Sequence, residues 1–382
     1  MRNLSKYGIH AIVCDSTRLG MSQFSRFSKG FEYYTSHYLD EEKFINDLVS
    51  ICVKHKIDFI LPSHNETEII ARNIHKFGKY VKAIVPNPDH CAIFNNKKDA
   101  YNLAASIGIP VPRRVKYNSP ETIKNKLLEM KIDRTVIKLL TGNSSKGVFY
   151  SDNPKSTQET VFKLIHKYNL TPERYPQIEE FVSGDGYGSS VFYWDNRLIA
   201  NVTHRRLREK IRTGGTSTLR ETTKHQKIEE ASFKLFDHIG WNGMAMCEFK
   251  VNDKTGEFWF IEVNPRMWGS IPVAIASGVE FPYIAWLSAK FGSDTALNFV
   301  KTCEPKIPWR GRWLLGDIFL FASALLRFQL IEAVRILFLC KSNSVDDFYF
   351  DDPLPFFGQV LLYLRNSITK RSLNPSQKGM VK

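Results

Sequence analysis

Three consecutive stretches restrict this chain more than any other feature: Met244-Ala-Met-Cys-Glu-Phe-Lys, a turn at Asn252-Asp-Lys-Thr-Gly256, and Phe258-Trp-Phe-Ile-Glu-Val-Asn-Pro-Arg266. Alternation on both sides of a glycine-closed turn predicts a β-hairpin closed around Lys254 and Thr255. Strand side chains alternate faces, so Ala245, Cys247, Phe249 and Val251 belong on the core side with Trp259, Ile261 and Val263. Glu248, Glu262 and Asn264 then share the other face. This register sets Glu248 opposite Glu262, or one position off. Two carboxylates facing each other across a hairpin repel, and partial burial raises the penalty, so a cation belongs between them. Oxygen donors without His or Cys favour Mg²⁺ over zinc. A solvated acidic face is the plainer alternative for such a short motif.

The 382 residues, 43% of them hydrophobic, suit a folded enzyme of two or three domains. The net charge of +14, from 53 basic and 39 acidic residues, calls for an anionic partner: nucleotide, nucleic acid, acidic glycan or anionic lipid. Charge alone does not choose among them. Cys14, Cys52, Cys91, Cys247, Cys303 and Cys340 are scattered, with neither metal-ligand spacing nor close pairs, which points to a reducing cytoplasm. The amino terminus lacks the apolar run of a signal peptide, so export is not expected.

Residues 9–90 alternate short apolar runs with helical patterns: a strand at 9–14, a helix at 41–54 and a strand at 59–61. Such alternation predicts a parallel α/β sheet. The loop Pro62-Ser-His-Asn-Glu-Thr67 follows the carboxyl end of a strand, where open α/β sheets bind ligands, so His64, Asn65 and Glu66 are substrate-site candidates. The alternative is a polar turn in which Asn65 or Thr67 caps a helix over 68–75. Pro86-Asn-Pro88 reads as a linker. A helix over 97–106 stops at Gly108-Ile-Pro110, and another covers 120–130. Thr135-Val-Ile-Lys-Leu-Leu140, the glycine-containing loop 141–147 and Val148-Phe-Tyr150 form strand, loop, strand. A Walker A loop would open a helix instead, but a glycine-rich hairpin can still lay backbone N–H groups over phosphates, with Lys138 reaching toward them. Another strand ends in Ser183-Gly184. The segment 201–217 then concentrates His204, Arg205, Arg206, Arg208, Lys210 and Arg212 before paired glycines. No nucleic-acid module or interleaved aromatic set accompanies these charges, so a clamp on triphosphate and substrate is favoured over a nucleic-acid patch.

Lys97 with Gly108-Ile-Pro110 beyond it, Lys138 before a glycine-rich hairpin, Ile178-Glu-Glu-Phe-Val-Ser-Gly184, Cys247-Glu-Phe and Ile261-Glu-Val-Asn-Pro-Arg266 occur in an order that resembles the ATP-grasp superfamily. The likeness is closest to its carboxylate-amine ligases, which include carbamoyl-phosphate-synthase-like and D-alanine-ligase-like enzymes, and covers residues 9–292. It implies an α/β fold built of α+β lobes. Residues 1–88 would form a truncated Rossmann-like domain, because relatives carry a strand and glycine turn ahead of the position of Ile9. Residues 89–292 would form the ATP-grasp domain, two lobes hinged near 179–184, and 293–382 a helical carboxy-terminal extension. Lys97 and Lys138 would contact the phosphates and base of ATP. The loop with Gly142, Ser144, Ser145 and Gly147 would close over the triphosphate, and Glu179, Glu180, Phe181 and Val182 would form the adenine connector. Asp185 would take the ribose role, one place from Gly186, where relatives carry an acid. Glu248, Glu262 and Asn264 would hold two Mg²⁺ ions, or Mn²⁺, and Arg266, with Arg205 and Arg206, would neutralise phosphate or a reacting acyl phosphate.

The chemistry so implied joins a small-molecule carboxylate to an amine: the carboxylate attacks the γ-phosphate, and the amine displaces phosphate from the acyl phosphate. Such transfer needs positioning and charge neutralisation more than a protein nucleophile. A kinase-like use of the fold and a non-catalytic nucleotide-binding protein are the alternatives. Neither substrate is legible, and nucleic acid is not expected as a partner. The apolar, basic-flanked stretch 309–327, continued at 331–340, is interrupted by Asp317, Arg327, Glu332 and Arg335, whereas a single span needs roughly 20 apolar residues. A helical cap on the ligase, or a homodimer contact, is favoured there over a peripheral membrane helix.

Overall fold

The computed structural model describes residues 1–141, 147–209, 217–338 and 341–370. Its organising element is the predicted hairpin. Gly243–Asn252 and Glu257–Asn264 pair antiparallel, with Met246 opposite Asn264 and Glu248 opposite Glu262. Past that pair the register shifts, so that Phe249 faces Phe260. The extra residue of such a bulge flips everything beyond it to the other face. The expected core set is corrected accordingly. Phe260 is buried and Phe258 packs beside it with Val263, while Trp259 and Ile261 lie outside that core. The two glutamates precede the slip and keep their face.

The hairpin forms one edge of a seven-stranded sheet. Next to Gly243–Asn252 come Asp185–Trp194, Arg197–Glu209, Ser217–Thr223, Arg310–Arg312 and Ser344–Val345, in that order. Period-two alternation supplies apolar side chains to both faces. Val191, Tyr193, Ala245 and Cys247 pack with Ile228, Leu235 and Phe236 of the amphipathic helix Gln226–Ile239. Phe192, Met244 and Met246 pack instead with the helices Ile271–Ser277 and Phe281–Phe291, through Ile271, Phe281 and Ile284.

A second lobe is a four-stranded antiparallel sheet ordered Arg114–Val115, Gln177–Glu180, Thr135–Lys138, Val148–Ser151. Its core joins Ile137 and Ile178 to Ile123, Leu127, Val161 and Leu164 of the helices Ile123–Glu129 and Pro154–Tyr168. The amino-terminal unit holds two short parallel pairs, Ala11–Asp15 with Ser28–Tyr33 and Phe59–Ile60 with Lys82–Ala83. The helix Glu41–Lys54 forms as expected, capped by the Asp40 side chain on Lys43 N. The next helix starts at Glu66, two residues earlier than expected, and runs Glu66–Arg72. Neither Asn65 nor Thr67 caps it. The Glu66 carboxylate accepts from Ser63 N and His64 N at 2.9 Å each and closes the turn instead.

The carboxy-terminal extension contains the helices Leu314–Leu326, Leu330–Phe338 and Leu354–Lys370. It also contributes the last two strands of the large sheet, which the apolar composition had hidden. Charge pairs fasten this junction. The fully buried Asp317 takes Arg208 at 2.6 Å and also Arg312, and Arg220 pairs with Asp346. Asp347 accepts from Leu314 N and Leu315 N at 2.9 and 3.0 Å, holding the start of a helix. Among the described residues no single helix is long and apolar enough to cross a membrane. Asp317→Ala would strand two mostly buried guanidinium groups, and a loss of about 3 kcal/mol in unfolding free energy, read by urea denaturation, is expected.

Candidate active site

The strand pairing that opposes Glu248 and Glu262 creates a local electrostatic problem, and neighbouring cations answer it. Arg206, on the strand Arg197–Glu209, reaches Glu248 Oε2 at 2.6 Å, with Glu209 accepting from its other arm at 3.4 Å. Lys97, the first residue of the helix Lys97–Ser106, reaches Glu262 Oε2 at 3.2 Å. Its backbone N–H donates to Leu140 O at 2.9 Å, which ties this helix to the strand end entering the glycine-rich loop. The Asn96 side chain caps the helix and so fixes where Lys97 stands.

The two carboxyls are not equivalent. Burial raises the Glu248 pKa above the usual carboxylate range, opposed by Arg206 and reinforced by Glu262. Burial pushes Glu262 the same way, but Lys97 and Lys138 outweigh it and hold that carboxyl below its ordinary value. Asn264 completes the set. Its Nδ2 donates to Glu248 Oε1 at 3.1 Å, and its Oδ1 accepts from Arg266 Nη2 at 3.1 Å. Arg266 is then fixed from two further sides, donating to Met267 O at 2.9 Å and to Asn65 Oδ1 at 3.2 Å. Of the three loop candidates, Asn65 therefore meets the site directly, while Glu66 serves the loop itself. A small cleft beside Arg266 is lined by Leu61, Pro62, Thr67, Ile84, Met244 and Met267.

The arginines expected to act together separate. Arg205 and Arg206 are consecutive on one strand and so point to opposite faces. Arg206 meets Glu248, whereas Arg205 pairs with Glu221 at 2.6 Å, and Arg310 of the extension takes the other Glu221 oxygen at 2.8 Å. Arg205, expected in a clamp on the reacting group, here braces the sheet against the extension. In the second lobe, Lys138 and Glu179 form a buried pair at 2.6 Å. Glu180 is committed to Arg113, accepting from its backbone N–H at 2.9 Å and its Nε at 2.6 Å. Phe181 stacks beneath the Arg134 guanidinium, 4.2 Å from the ring centroid. Val182 is partly exposed, and Asp185 is exposed at the start of its strand. Between them Gly184 approaches the hairpin backbone so closely that a Cβ would stand 2.4 Å from Val251 O. Gly142, Ser144, Ser145, Lys210 and Arg212 lie outside the described residues; Gly147 is described, with φ of 81° and its carbonyl accepting from Leu139 N at 2.8 Å.

The carboxylates of Glu248 and Glu262 offer the oxygen donors of Mg²⁺ or Mn²⁺ and fit the ion that the hairpin predicts, while Asn264 turns its Nδ2 to Glu248 and its Oδ1 to Arg266. Among the described residues no three His, Cys, Asp or Glu side chains cluster as a metal site, and the third member of this set is an amide. His204, which the sequence groups with the basic clamp, has another role. It is buried, contacts Ser270 Oγ at 3.1 Å, and stands where a Cβ on Gly188 would meet its ring at 2.4 Å. Burial, with Arg220 and Arg206 nearby, lowers its pKa to about 3, so it is neutral near physiological pH.

Residues 178–303 match the family model described as "ATP-grasp in the biosynthetic pathway with Ter operon". A putative urea carboxylase of Emericella nidulans is 23% identical over 60% of this chain and 19% of its own length. A biotin carboxylase of Nostoc is 22% identical over 60% of the chain and 48% of its own length, and the large chain of carbamoyl phosphate synthase from Methanobrevibacter smithii is 37% identical over 20% and 7%. The chain thus spans about half or less of these relatives. Biotin carboxylase of Campylobacter jejuni, solved as a β-γ-ATP complex, superposes with a TM-score of 0.61 at 14% identity, covering 81% of this chain and 70% of that one. The biotin carboxylase domain of the 2-oxoglutarate carboxylase of Hydrogenobacter thermophilus, solved as a dimer with MgADP and bicarbonate, gives a TM-score of 0.59 at 14% identity, covering 77% and 66%. Fold and matched sequence agree in their likeness to the ATP-grasp superfamily. Its likeness within that superfamily is to the carboxylate ligases, biotin carboxylase and carbamoyl phosphate synthase among them.

Neutral burial of His204 has a consequence for stability. Its folded pKa is depressed, so the unfolded chain binds the extra proton, and stability falls as pH drops below about 6.5 toward about 3. His204→Gln removes that contribution. The loss of unfolding free energy between about pH 7 and about pH 5, compared by urea denaturation, is expected to shrink by about 2 kcal/mol in the variant relative to the parent.

Proposed function

We propose that this protein is an ATP- and Mg²⁺-dependent ligase that activates a small-molecule carboxylate as its acyl phosphate and passes the acyl group to an amine. The observation that carries this reading is the opposed pair Glu248 and Glu262, linked through Asn264 to Arg266 and held by Arg206 and Lys97. Such a set, beside a lobe carrying Lys138 and a glycine-containing hairpin, suits the triphosphate of a nucleotide whose β- and γ-oxygens need neutralising. Mg²⁺ bound there would supply that neutralisation. Glu248 and Glu262 would hold it, with Lys97 and Arg206 turning from the carboxylates toward phosphate.

Arg266 sits between Asn264 and the loop 62–67, so its guanidinium can orient a carboxylate entering from the cleft beside Met244 and Met267. The substrate oxygen attacks the γ-phosphorus, the bond to the β-γ bridging oxygen breaks, and ADP leaves. An amine then attacks the acyl carbon and releases phosphate. An acyl phosphate hydrolyses if water enters, so closure of the lobe carrying residues 135–151 over the hairpin belongs to the mechanism. The biotin carboxylases, which share the fold, favour carboxylate activation over phosphoryl transfer to a hydroxyl.

Glu262→Gln and Arg266→Ala are each expected to lower carboxylate-dependent ADP release by at least about a hundredfold, measured with a panel of acids and amines by coupled ADP and phosphate assays. Near-normal release in either variant would exclude that residue from the reacting site. ADP formed with a hydroxyl acceptor and no acid would favour the kinase reading.

A further inference from the structure

The last helix, Leu354–Lys370, packs by one side and leaves the other bare. Phe356 and Asn366 are buried, and Tyr363 lies against Phe319 of the helix Leu314–Leu326 at 5.2 Å between ring centroids. On the opposite arc Leu354, Phe357, Leu361, Leu364 and Ile368 recur at alternating spacings of three and four residues, all between 53% and 80% exposed. A second apolar surface stands at the turn between the two preceding helices. There Leu326, Phe328, Leu330, Ile331 and Val334 are exposed, Phe328 at 90%. Contiguous apolar faces of this kind mark an interaction surface.

Charge says which partner fits. The helix carries exposed Arg365 and no Asp or Glu. The helical turn adds exposed Arg327 and Arg335 against one exposed acid, Glu332. A second copy of this region would bring like charges together, whereas an anionic surface complements them.

We propose that the helix Leu354–Lys370 and the 325–334 turn dock this protein on an anionic lipid bilayer, leucines and phenylalanines at the headgroup boundary and basic side chains among the lipid phosphates. This is the interfacial mode of amphipathic helices rather than a span. The helices pack on the enzyme as a cap and keep apolar stripes outside.

The test is co-sedimentation of the full-length protein with vesicles of phosphatidylglycerol and phosphatidylcholine, and with phosphatidylcholine alone, at low and high salt. Pelleting with the anionic vesicles only, weakened by salt, is expected. Leu361→Ser with Leu364→Ser should weaken vesicle affinity by about tenfold or more, with circular dichroism and nucleotide turnover unchanged. Arg327→Glu with Arg335→Glu, which leaves the stripe intact, should do the same. No pelleting, equal pelleting with neutral vesicles, or affinity preserved in both double variants would overturn the proposal. So would a lipid-free dimer, seen by sedimentation velocity, that Leu361→Ser with Leu364→Ser dissociates. The readout needs no nucleotide, so its outcome is separable from that of the ligase reading.

Discussion

Two carboxylates opposed across a hairpin cannot remain half-buried unless positive charge is brought to them, and much of this molecule is arranged around that requirement. Arg206 arrives from another strand of the same sheet, Lys97 from the start of a helix and Arg266 from the end of the hairpin itself. Each comes from a different element, so the acid pair also joins those elements. A site assembled this way is poised for exchange: a metal ion and phosphate oxygens can replace the internal ion pairs without leaving any charge unmatched. The opposite shifts of Glu248 and Glu262 follow from their different neighbours.

The same strand carries charge to the other end of the fold. Arg205 and Arg208 leave the site and pair with Glu221 and Asp317, next to Arg310 and Arg312 of the extension. The extension is thereby part of the large sheet, continuous with the strand that supplies Arg206. A buried carboxylate between two guanidinium groups adds little net stability compared with apolar packing, but it selects one register for the attachment.

Much of the site was legible in the sequence, because the period of a strand fixes which residues share a face. That logic placed Glu248 against Glu262 and brought Asn264 with them, and the helices starting at Glu41 and Lys97 followed from their helical pattern and, for the second, from the stop at Gly108-Ile-Pro110. It failed where one residue breaks the period. The bulge after Glu248 exchanged Trp259 and Ile261 for Phe258 and Phe260 in the core, and no local composition marks a bulge. Alternation also separates the neighbouring Arg205 and Arg206, which the charge run had grouped. The strands Arg310–Arg312 and Ser344–Val345 were missed because each has two or three residues and exists only through pairing with distant chain. Glu209, Glu221 and the Asn65 contact to Arg266 are likewise products of tertiary structure, with no signal in spacing.

The most direct test of the central claim is a crystal structure with a non-hydrolysable ATP analogue and Mn²⁺, located by its anomalous scattering. A metal peak bounded by oxygens of Glu248, Glu262 and Asn264 is predicted, with the triphosphate beside it and Lys97 and Arg206 moved from carboxylate to phosphate. Nucleotide bound away from the hairpin, or no peak there with both ion pairs intact, would contradict it.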